Sequence, residues 1–267
     1  MDTGPDSSRA NRDITAVITN YNYGRYLSEA VDSVLRQGAS AVVVDDGSTE
    51  PVPDLPADVE LIRQTNQGVA TARNVGLARV QSPFVIVLDA DDRLAPGALE
   101  ALRRPLDADP QLGFAYGCMR FFGDWAGELR FPPYDPYGLL YRHTIGLTAL
   151  MRREVAEDTG GFDPAFERFE DWELWVNALA HGWRGHQIDA ITVEYRRHPG
   201  SKHARDRPEY RQAFRQLREK HAELYRDPPT GGLGPVRRLW YRVFWGLRPV
   251  PARLENALHR LFWRNRS

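Results

Sequence analysis

The residues best suited to chemistry are three aspartates, Asp89, Asp91 and Asp92, which follow the apolar run 84–88. Carboxylates this close together repel one another, so they cost stability unless a cation lies among them. Hard cations such as Mg²⁺ and Mn²⁺ prefer oxygen ligands and also bind phosphate oxygens. The motif therefore predicts a divalent-cation site. The alternative is a solvated turn in which Asp92 caps the next helix.

Two other apolar runs also end in polar residues. Asn20 and Asn22 follow the first run, and Asp45 and Asp46 follow the second. In open parallel sheets, ligands bind beyond the carboxyl ends of the strands. The polar clusters therefore predict one ligand site at that edge, although Asp45-Asp46-Gly47-Ser48 is also an ordinary turn sequence.

The first 105 residues alternate between strand patterns and helix patterns. Apolar β-branched runs predict strands, and apolar residues three or four apart predict helices. The strands are expected at 14–19, 41–44, 59–62 and 84–88, and the helices at 26–37, at 68–80 and from Pro96 onward. This alternation predicts βαβ units and a mainly parallel sheet.

The pattern changes after Pro105. Strands are expected at 114–122, 144–152 and 188–195, helices at 154–159, 171–181 and 208–226, an aromatic loop at 131–142 and a linker at 228–235. These segments are expected to build a second half on the same α/β core.

Composition limits the classes of function. A chain of 267 residues can bury one sizeable core, and a formal net charge of −1 gives no reason to expect nucleic acid as a partner. We find no run of about 18 apolar residues, so no membrane span is expected. The lone Cys118 lies in an apolar run and predicts a buried, inert thiol in a reducing cytoplasm.

The last 32 residues differ in charge from the rest. Residues 236–267 carry eight Arg and one Glu, interleaved with aromatic residues. The pattern predicts two amphipathic helices. They are expected to pack on the catalytic domain or a second subunit, or to contact an anionic membrane surface at its inner face.

Four segments together resemble family 2 glycosyltransferases. They are Val-Ile-Thr-Asn-Tyr-Asn at 17–22, Val-Val-Asp-Asp-Gly-Ser-Thr at 43–49, Asn-Gln-Gly-Val-Ala-Thr-Ala-Arg-Asn-Val-Gly at 66–76 and Leu-Asp-Ala-Asp-Asp at 88–92. The resemblance covers about residues 14–200. It implies an inverting, nucleotide-sugar-dependent enzyme with the GT-A fold, a Rossmann-like, mainly parallel sheet flanked by helices, here with a C-terminal helical extension.

The resemblance also implies boundaries within the chain. We expect a disordered N-terminus at 1–12 and a glycosyltransferase domain at 13–226. Its nucleotide-binding half is expected at 13–105 and its acceptor-side half at 106–226. A basic amphipathic tail would occupy 227–267.

The same resemblance assigns roles in donor binding. Asp46, with Asp45, would accept a hydrogen bond from the nucleobase, Asp89 would contact the ribose or metal, and Asp91 would ligate a Mn²⁺ or Mg²⁺ ion. The remaining nucleotide-site residues would be Thr19, Asn20, Asn22, Asn66, Gly68, Arg73 and Ala90. UDP is the favoured nucleotide, with dTDP and GDP open.

Two further segments match the family. The segment 169–174, Phe-Glu-Asp-Trp-Glu-Leu, places the family's general base on Asp171, where Glu170 and Asp171 are also plausible helix-capping residues. Segment 195–201 contains His198, which the resemblance makes a ligand of metal or phosphate, and otherwise a structural hydrogen-bonding residue. The acceptor would be a glycan, a lipid-linked or a natural-product hydroxyl.

Three other classes are weighed against this one. Haloacid dehalogenase-like phosphatases carry Asp-x-Asp on the first strand, whereas here it follows about the fourth. Sugar nucleotidyltransferases carry a Gly-rich, Arg-containing loop after the first strand, where this chain has Asn20-Tyr21-Asn22-Tyr23-Gly24. A catalytically silent binding or assembly module is disfavoured by the intact aspartates.

Overall fold

The computed structural model describes residues 11–199, 207–229 and 233–246. The predicted disordered N-terminus lies outside these ranges except for residues 11 and 12. Gly200 and Ser201, at the end of the His198 segment, lie outside them as well. So does the second predicted tail helix, which follows Pro251.

The strands and helices alternate through the first half, as the sequence predicts. The strands are β1 (Ile14–Asn20), β2 (Ser40–Asp45), β3 (Glu60–Arg63), β4 (Phe84–Asp89), β5 (Arg93–Leu94), β6 (Leu112–Gly123), β7 (Gly127–Leu129), β8 (Leu150–Arg152) and β9 (Arg184–Arg197). The helices are α1 (Gly24–Leu35), α2 (Val69–Leu77), α3 (Ala98–Ala108), α4 (Pro136–Leu139), α5 (Arg153–Thr159), α6 (Glu170–Ala180), α7 (Arg207–Lys220), α8 (Ala222–Arg226) and α9 (Pro235–Trp240), the last continued by a π-helical turn, Tyr241–Gly246.

These strands form one mixed sheet within the described residues. Its order is β3-β2-β1-β4-β8-β6-β9-β5, with β7 paired to β6. The neighbours β3, β2, β1 and β4 are parallel, and so are β6 and β9, whereas β8 runs antiparallel to both β4 and β6. The predicted α/β class is confirmed, and the carboxyl ends of β1, β2 and β4 meet at one edge.

Alternate residues of the central strands enter two cores on opposite faces of the sheet. Along β4, Val85 and Val87 pack into the core that contains α6, whereas Ile86 and Leu88 pack into the core under α1 and α3. A strand covered on both faces is apolar at every position. This explains why β4 reads as a continuous apolar run.

Gly76 brings α2 close against β1. A Cβ at this position would lie 2.3 Å from a methyl carbon of Val17, so only glycine permits the observed approach. The contact places the N-terminal end of α2, which carries Gly68 and Arg73, beside the strand ends.

Several element predictions were wrong in detail. Of the strand predicted at 144–152, only Leu150–Arg152 forms, because the preceding chain is irregular and its Gly146 carbonyl accepts a hydrogen bond from Trp175 Nε1 at 3.2 Å. The single helix predicted at 208–226 is interrupted at His221, and the aromatic loop at 131–142 contains the short helix α4. The strands β5 and β7 were not predicted, since two or three residues carry too little periodicity.

The first tail helix packs on the second half of the chain. Tyr241 is buried, and its hydroxyl donates to Asp135 at 2.9 Å, while Trp240 packs against the same core as α6. Val236, Leu239 and Val243 remain exposed on this segment. In the described part of the chain, none of the helices has both the length and the apolar character that crossing a bilayer requires.

Candidate active site

A cleft of about 680 Å³ opens at the carboxyl ends of β1 and β4. Most of the residues predicted for the donor line it, namely Thr19, Asn20, Asp46, Asn66, Gly68, Arg73, Asp89, Ala90 and Asp91. A larger, more open groove of about 1040 Å³ lies between α3 and β9, but none of the predicted residues line it. The smaller cleft is therefore the candidate active site.

The acidic cluster occupies one end of the cleft. One carboxylate oxygen from each of Asp89, Asp91 and Asp92 lies within 4.8 Å of the others. Burial, and next the charge of Asp89, raises the pKa of Asp91, while burial and Asp91 raise that of Asp92. Both shifts follow first from burial and next from repulsion between neighbouring carboxylates.

The three carboxylates are held differently. Asp89 accepts from Arg73 at 2.8 Å, and Asp91 lies 3.0 Å from His198 Nε2. Asp92 instead accepts from the backbone N–H of Arg196 at 2.8 Å and does not line the cleft. Asp89 and Asp91 are therefore the two that face the ligand space.

Asp46 lies at the other end of the cleft and shapes the loop before α2. Its carboxylate accepts from the backbone N–H groups of Gln67 at 2.9 Å and Gly68 at 3.0 Å, and from Gln64 Nε2 at 2.8 Å. An ionised carboxylate has about four acceptor positions. One position is left for a donor on a ligand.

Asp45 and Asn22 face the loop 46–50 rather than the ligand, while Asn20 bonds Asp45 and also lines the cleft. Asp45 accepts from Asn20 Nδ2 at 2.8 Å and from the hydroxyl of Ser48. Asn22, at a left-handed φ of 60°, accepts from the backbone N–H of Thr49 at 2.8 Å. Asp45 and Asn22 do not line the cleft, so their side chains hold the wall of the site in shape.

Arg73 connects the acidic cluster to the second half of the chain. It is 3% exposed, and its two terminal nitrogens bond Asp89 at 2.8 Å and Glu170 at 2.5 Å. Burial alone would lower the pKa of Arg73, but the two carboxylates outweigh it and raise that pKa. Arg73 is therefore a buried, doubly paired residue rather than a solvated helix residue.

The predicted base, Asp171, lies next to Glu170 at the start of α6. Its Oδ2 is 3.0 Å from His143 Nε2, and its Oδ1 accepts from the backbone N–H of Trp172 at 2.8 Å. Burial would raise the pKa of Asp171, but His143 outweighs it and lowers that pKa, so the carboxylate is ionised. Glu170 lines the cleft, whereas Asp171 does not.

His198 packs beside the acidic cluster and is nearly buried. Its ring lies 5.2 Å from that of Tyr23 and 5.5 Å from that of Tyr26, centroid to centroid. Its Nε2 lies 3.0 Å from Oδ2 of Asp91, which joins it to the site. Cys118 is buried as predicted, and burial raises the pKa of its thiol, which disfavours the reactive thiolate.

Some residues of the site were missed by sequence reasoning. His143, which contacts Asp171, lies in a segment without a recognisable motif, and no local signal links the two residues. Tyr195 and Glu167, which line the cleft, were missed as well. The position of Tyr195, next to the Arg196-Arg197-His198 segment, was the one available signal.

The chain matches one protein-family model, described as glycosyl transferase family 2, over residues 15–160. This match contains β1, β2, β4 and α2, and so the donor end of the cleft. It ends before Glu170 and Asp171.

Two similar proteins are described as glycosyltransferases. An uncharacterized glycosyltransferase of Nostoc sp., alr2836, is 42% identical over 100 residues, which is 33% of this chain but 31% of that protein's length. The putative teichuronic acid biosynthesis glycosyltransferase TuaG of Bacillus subtilis is 29% identical over 200 residues, covering 68% of this chain and 78% of TuaG. The match thus spans about a third of the first relative and most of the second.

A solved structure shares the fold. Residues 1–349 of S. aureus TarS, in complex with UDP-GlcNAc, superpose with a TM-score of 0.65 at 18% identity, over 85% of this chain and 70% of the other. The predicted GT-A fold is thereby confirmed.

Proposed function

The chain belongs to glycosyl transferase family 2, and we propose that it transfers a sugar from a nucleoside diphosphate to an acceptor hydroxyl with inversion at the anomeric carbon. The observation that carries the proposal is the cleft itself. Asp46, Asp89, Asp91 and Glu170 line it, and Asp171 follows Glu170 at the start of α6. We assign these residues to a nucleobase, a diphosphate and the proton of an acceptor.

The proposed donor is a UDP-sugar. Support comes from TarS, which shares the fold and was solved with UDP-GlcNAc. Asp46 retains an acceptor position for an N–H of the base, and the backbone at Gly68 is open, since a Cβ there would meet nothing within 4 Å. An open backbone before a helix lets a phosphate or ribose approach closely.

The acidic cluster suits a divalent cation. Asp89 and Asp91 supply hard oxygen ligands that line the cleft. Burial and the charge of Asp89 raise the pKa of Asp91, although Arg73 and His198 contact the two carboxylates. Mn²⁺ or Mg²⁺ would be held by Asp91 and Asp89, with His198 behind Asp91. When bound, the cation would neutralise charge on the departing diphosphate.

Arg73 and Asp171 have the remaining roles in the proposed mechanism. Arg73 holds Asp89 in place and brings one positive charge to the diphosphate end of the cleft. Asp171, ionised and oriented by His143, accepts the proton of the attacking hydroxyl. In a single displacement the hydroxyl oxygen bonds the anomeric carbon as the bond to the diphosphate oxygen breaks, which inverts that carbon.

The proposal also assigns the halves of the chain. Residues 13–105 would bind the nucleotide and residues 106–226 the acceptor, whether a glycan, a lipid-linked or a natural-product hydroxyl. The tail, 236–267, would contact a membrane surface or a second copy of the chain, and the protein would act at the cytoplasmic side.

Thermal denaturation with UDP and Mn²⁺ tests donor binding. We expect UDP with Mn²⁺ to stabilise the wild type by about 2.7 kcal/mol when UDP is present at one hundred times its Kd. Asp91→Asn should abolish the stabilisation. Without metal, the same variant should be at least as stable as the wild type, because it removes one of the repelling charges.

Asp58→Asn is the matched control, since Asp58 is exposed and does not line the cleft. It should respond to UDP and Mn²⁺ as the wild type does. Equal stabilisation of the Asp91→Asn variant would contradict the metal site, and no response of the wild type to UDP, dTDP or GDP would contradict the donor class.

A further inference from the structure

An exposed tryptophan lies at the tip of the hairpin between β6 and β7. Trp125 is 54% exposed. Single exposed apolar residues are common on proteins and need no explanation by themselves. Trp125 differs from such residues in the contacts that hold its indole.

Three neighbours hold the indole in place. Its ring centroid lies 4.9 Å from that of Phe121, and the guanidinium carbon of Arg197 lies 5.8 Å from the Trp125 ring centroid. A Cβ at Gly127 would lie 2.9 Å from the indole, so the indole rests where any other residue would have a side chain. Trp125 is therefore packed on one side and open to solvent on the other.

The indole is continuous with the active-site cleft. Phe121 pairs with Tyr195 across β6 and β9, and their rings lie 5.8 Å apart at 78°. Tyr195 lines the cleft. Burial, and next the charges of Asp92, Asp89 and Asp91, raise the pKa of the Tyr195 hydroxyl. The hydroxyl therefore lies near the acidic cluster. Tyr195, Phe121 and Trp125, which we call the aromatic strip, run outward from the diphosphate end of the cleft.

The surroundings of the strip favour a polar ligand with one flat apolar face. The guanidinium carbon of Arg197 lies 5.5 Å from the Phe121 ring centroid and 5.8 Å from that of Trp125, so a charge borders the strip. Within the described residues, Trp125 and Leu129 are the large apolar residues exposed on this hairpin, so the exposed apolar area is small. A lipid chain or a protein partner needs a broader apolar patch. A sugar ring matches this pattern, since its C–H face can lie on an aromatic ring while its hydroxyls reach charged groups.

We propose that the aromatic strip binds a sugar ring of the acceptor, which makes the acceptor a glycan of at least two residues. The ring on Trp125 would lie beyond the residue whose hydroxyl enters the cleft. This inference rests on the proposed glycosyltransferase function and names the acceptor class, which the fold and the family leave open.

Binding to an immobilised panel of glycans, in the presence of UDP and Mn²⁺, tests the strip. We expect the wild type to retain particular oligosaccharides and Trp125→Ala to lose at least tenfold of that binding, while Trp125→Phe retains most of it. Leu129→Ala is the matched control, because Leu129 is 42% exposed on the same hairpin and does not belong to the strip. It should bind as the wild type does.

The UDP-dependent thermal shift of the same samples separates the two proposals. Every variant should keep the shift of the wild type, because none of the substituted residues lines the cleft. A normal UDP shift combined with equal glycan binding by Trp125→Ala, or with no glycan retained by the wild type, overturns the acceptor subsite alone. Loss of the UDP shift in the wild type overturns the donor function on which the subsite depends.

Discussion

Arg73 couples two carboxylates that come from distant parts of the chain. It bonds Asp89, which faces the donor, and Glu170, which precedes the proposed base. A planar guanidinium can bond two acceptors in fixed directions, which a lysine ammonium cannot do with the same geometry. A shift of Arg73 therefore moves the donor and acceptor sides of the cleft together.

Asp171→Asn tests the assignment of the base at the residue level. The amide has a similar shape but accepts no proton, so UDP release from UDP-GlcNAc should fall by about 10²–10⁴-fold while UDP-dependent stabilisation persists. The measurement is the rate of UDP release, with thermal shift as the binding control. Unchanged turnover in Asp171→Asn with a large loss in Glu170→Gln would transfer the role to Glu170.

The His143 contact sets the pH range of that base. Because His143 lowers the pKa of Asp171 below its ordinary 3.8, the carboxylate is ionised throughout the neutral range, and activity should decline only as pH falls through that lowered pKa. In His143→Gln, burial would dominate and raise that pKa. The acid limb of the pH–rate profile should then move to higher pH.

At the level of elements, α7 is joined to α6 by ion pairs with the buried carboxylate of Glu173. Glu173 is fully buried, and its Oε1 is 2.8 Å from Lys220 Nζ and 2.9 Å from His221 Nε2. Lys220 also bonds Asp163 at 2.7 Å. These contacts hold the C-terminal helices against the element that begins with Glu170 and Asp171.

Lys220→Met should lower the free energy of unfolding by about 1–2 kcal/mol, since it removes two charged hydrogen bonds from a partly exposed lysine. Although burial opposes it, bonding to Asp163 and Glu173 raises the pKa of Lys220 above 10.5. The stabilisation is therefore complete below pH 10.5 and is lost as pH rises through the raised pKa. Denaturant unfolding at several pH values measures the difference.

Arg215→Met, an exposed position of α7, serves as the control and should change stability by less than about 0.5 kcal/mol. A difference between wild type and Lys220→Met that persists unchanged above the raised pKa of Lys220 would show that the lysine acts through packing rather than charge.

At the level of the whole molecule, the described part of the tail has one face packed against the core and one face exposed to solvent. Tyr241 and Trp240 contact the acceptor-side half, while Val236, Leu239 and Val243 face outward beside basic residues. Basic amphipathic surfaces of this kind bind anionic lipid headgroups through combined apolar and charge contacts.

Co-sedimentation with vesicles tests this surface. We expect the full chain to sediment with phosphatidylglycerol vesicles, less so in high salt, and not with phosphatidylcholine vesicles, while residues 1–230 remain in the supernatant. Failure of the full chain to sediment would contradict the membrane contact. A concentration-dependent dimer in sedimentation equilibrium would then favour the second copy.

The sequence alone determined the βαβ order of the first half and the gathering of polar residues at one sheet edge. Both follow from local rules, because apolar periodicity defines each element and parallel strands end on the same side. It also identified Asp89, Asp91, Asp46 and Arg73 as cleft residues through the family resemblance. The sequence alone did not predict short strands such as β5 or the irregular chain before β8, because these segments form through contacts with distant parts of the chain.

The tertiary structure alone decided which side chains face the ligand. Asp45 and Asp46 are neighbours, yet one holds a loop and the other lines the cleft, because the turn after β2 directs them to different partners. The contact of Arg73 with Glu170 spans 97 residues, and that of Phe121 with Tyr195 joins two strands far apart in the chain. Such contacts depend on the packing of whole elements, and residue spacing carries no information about them.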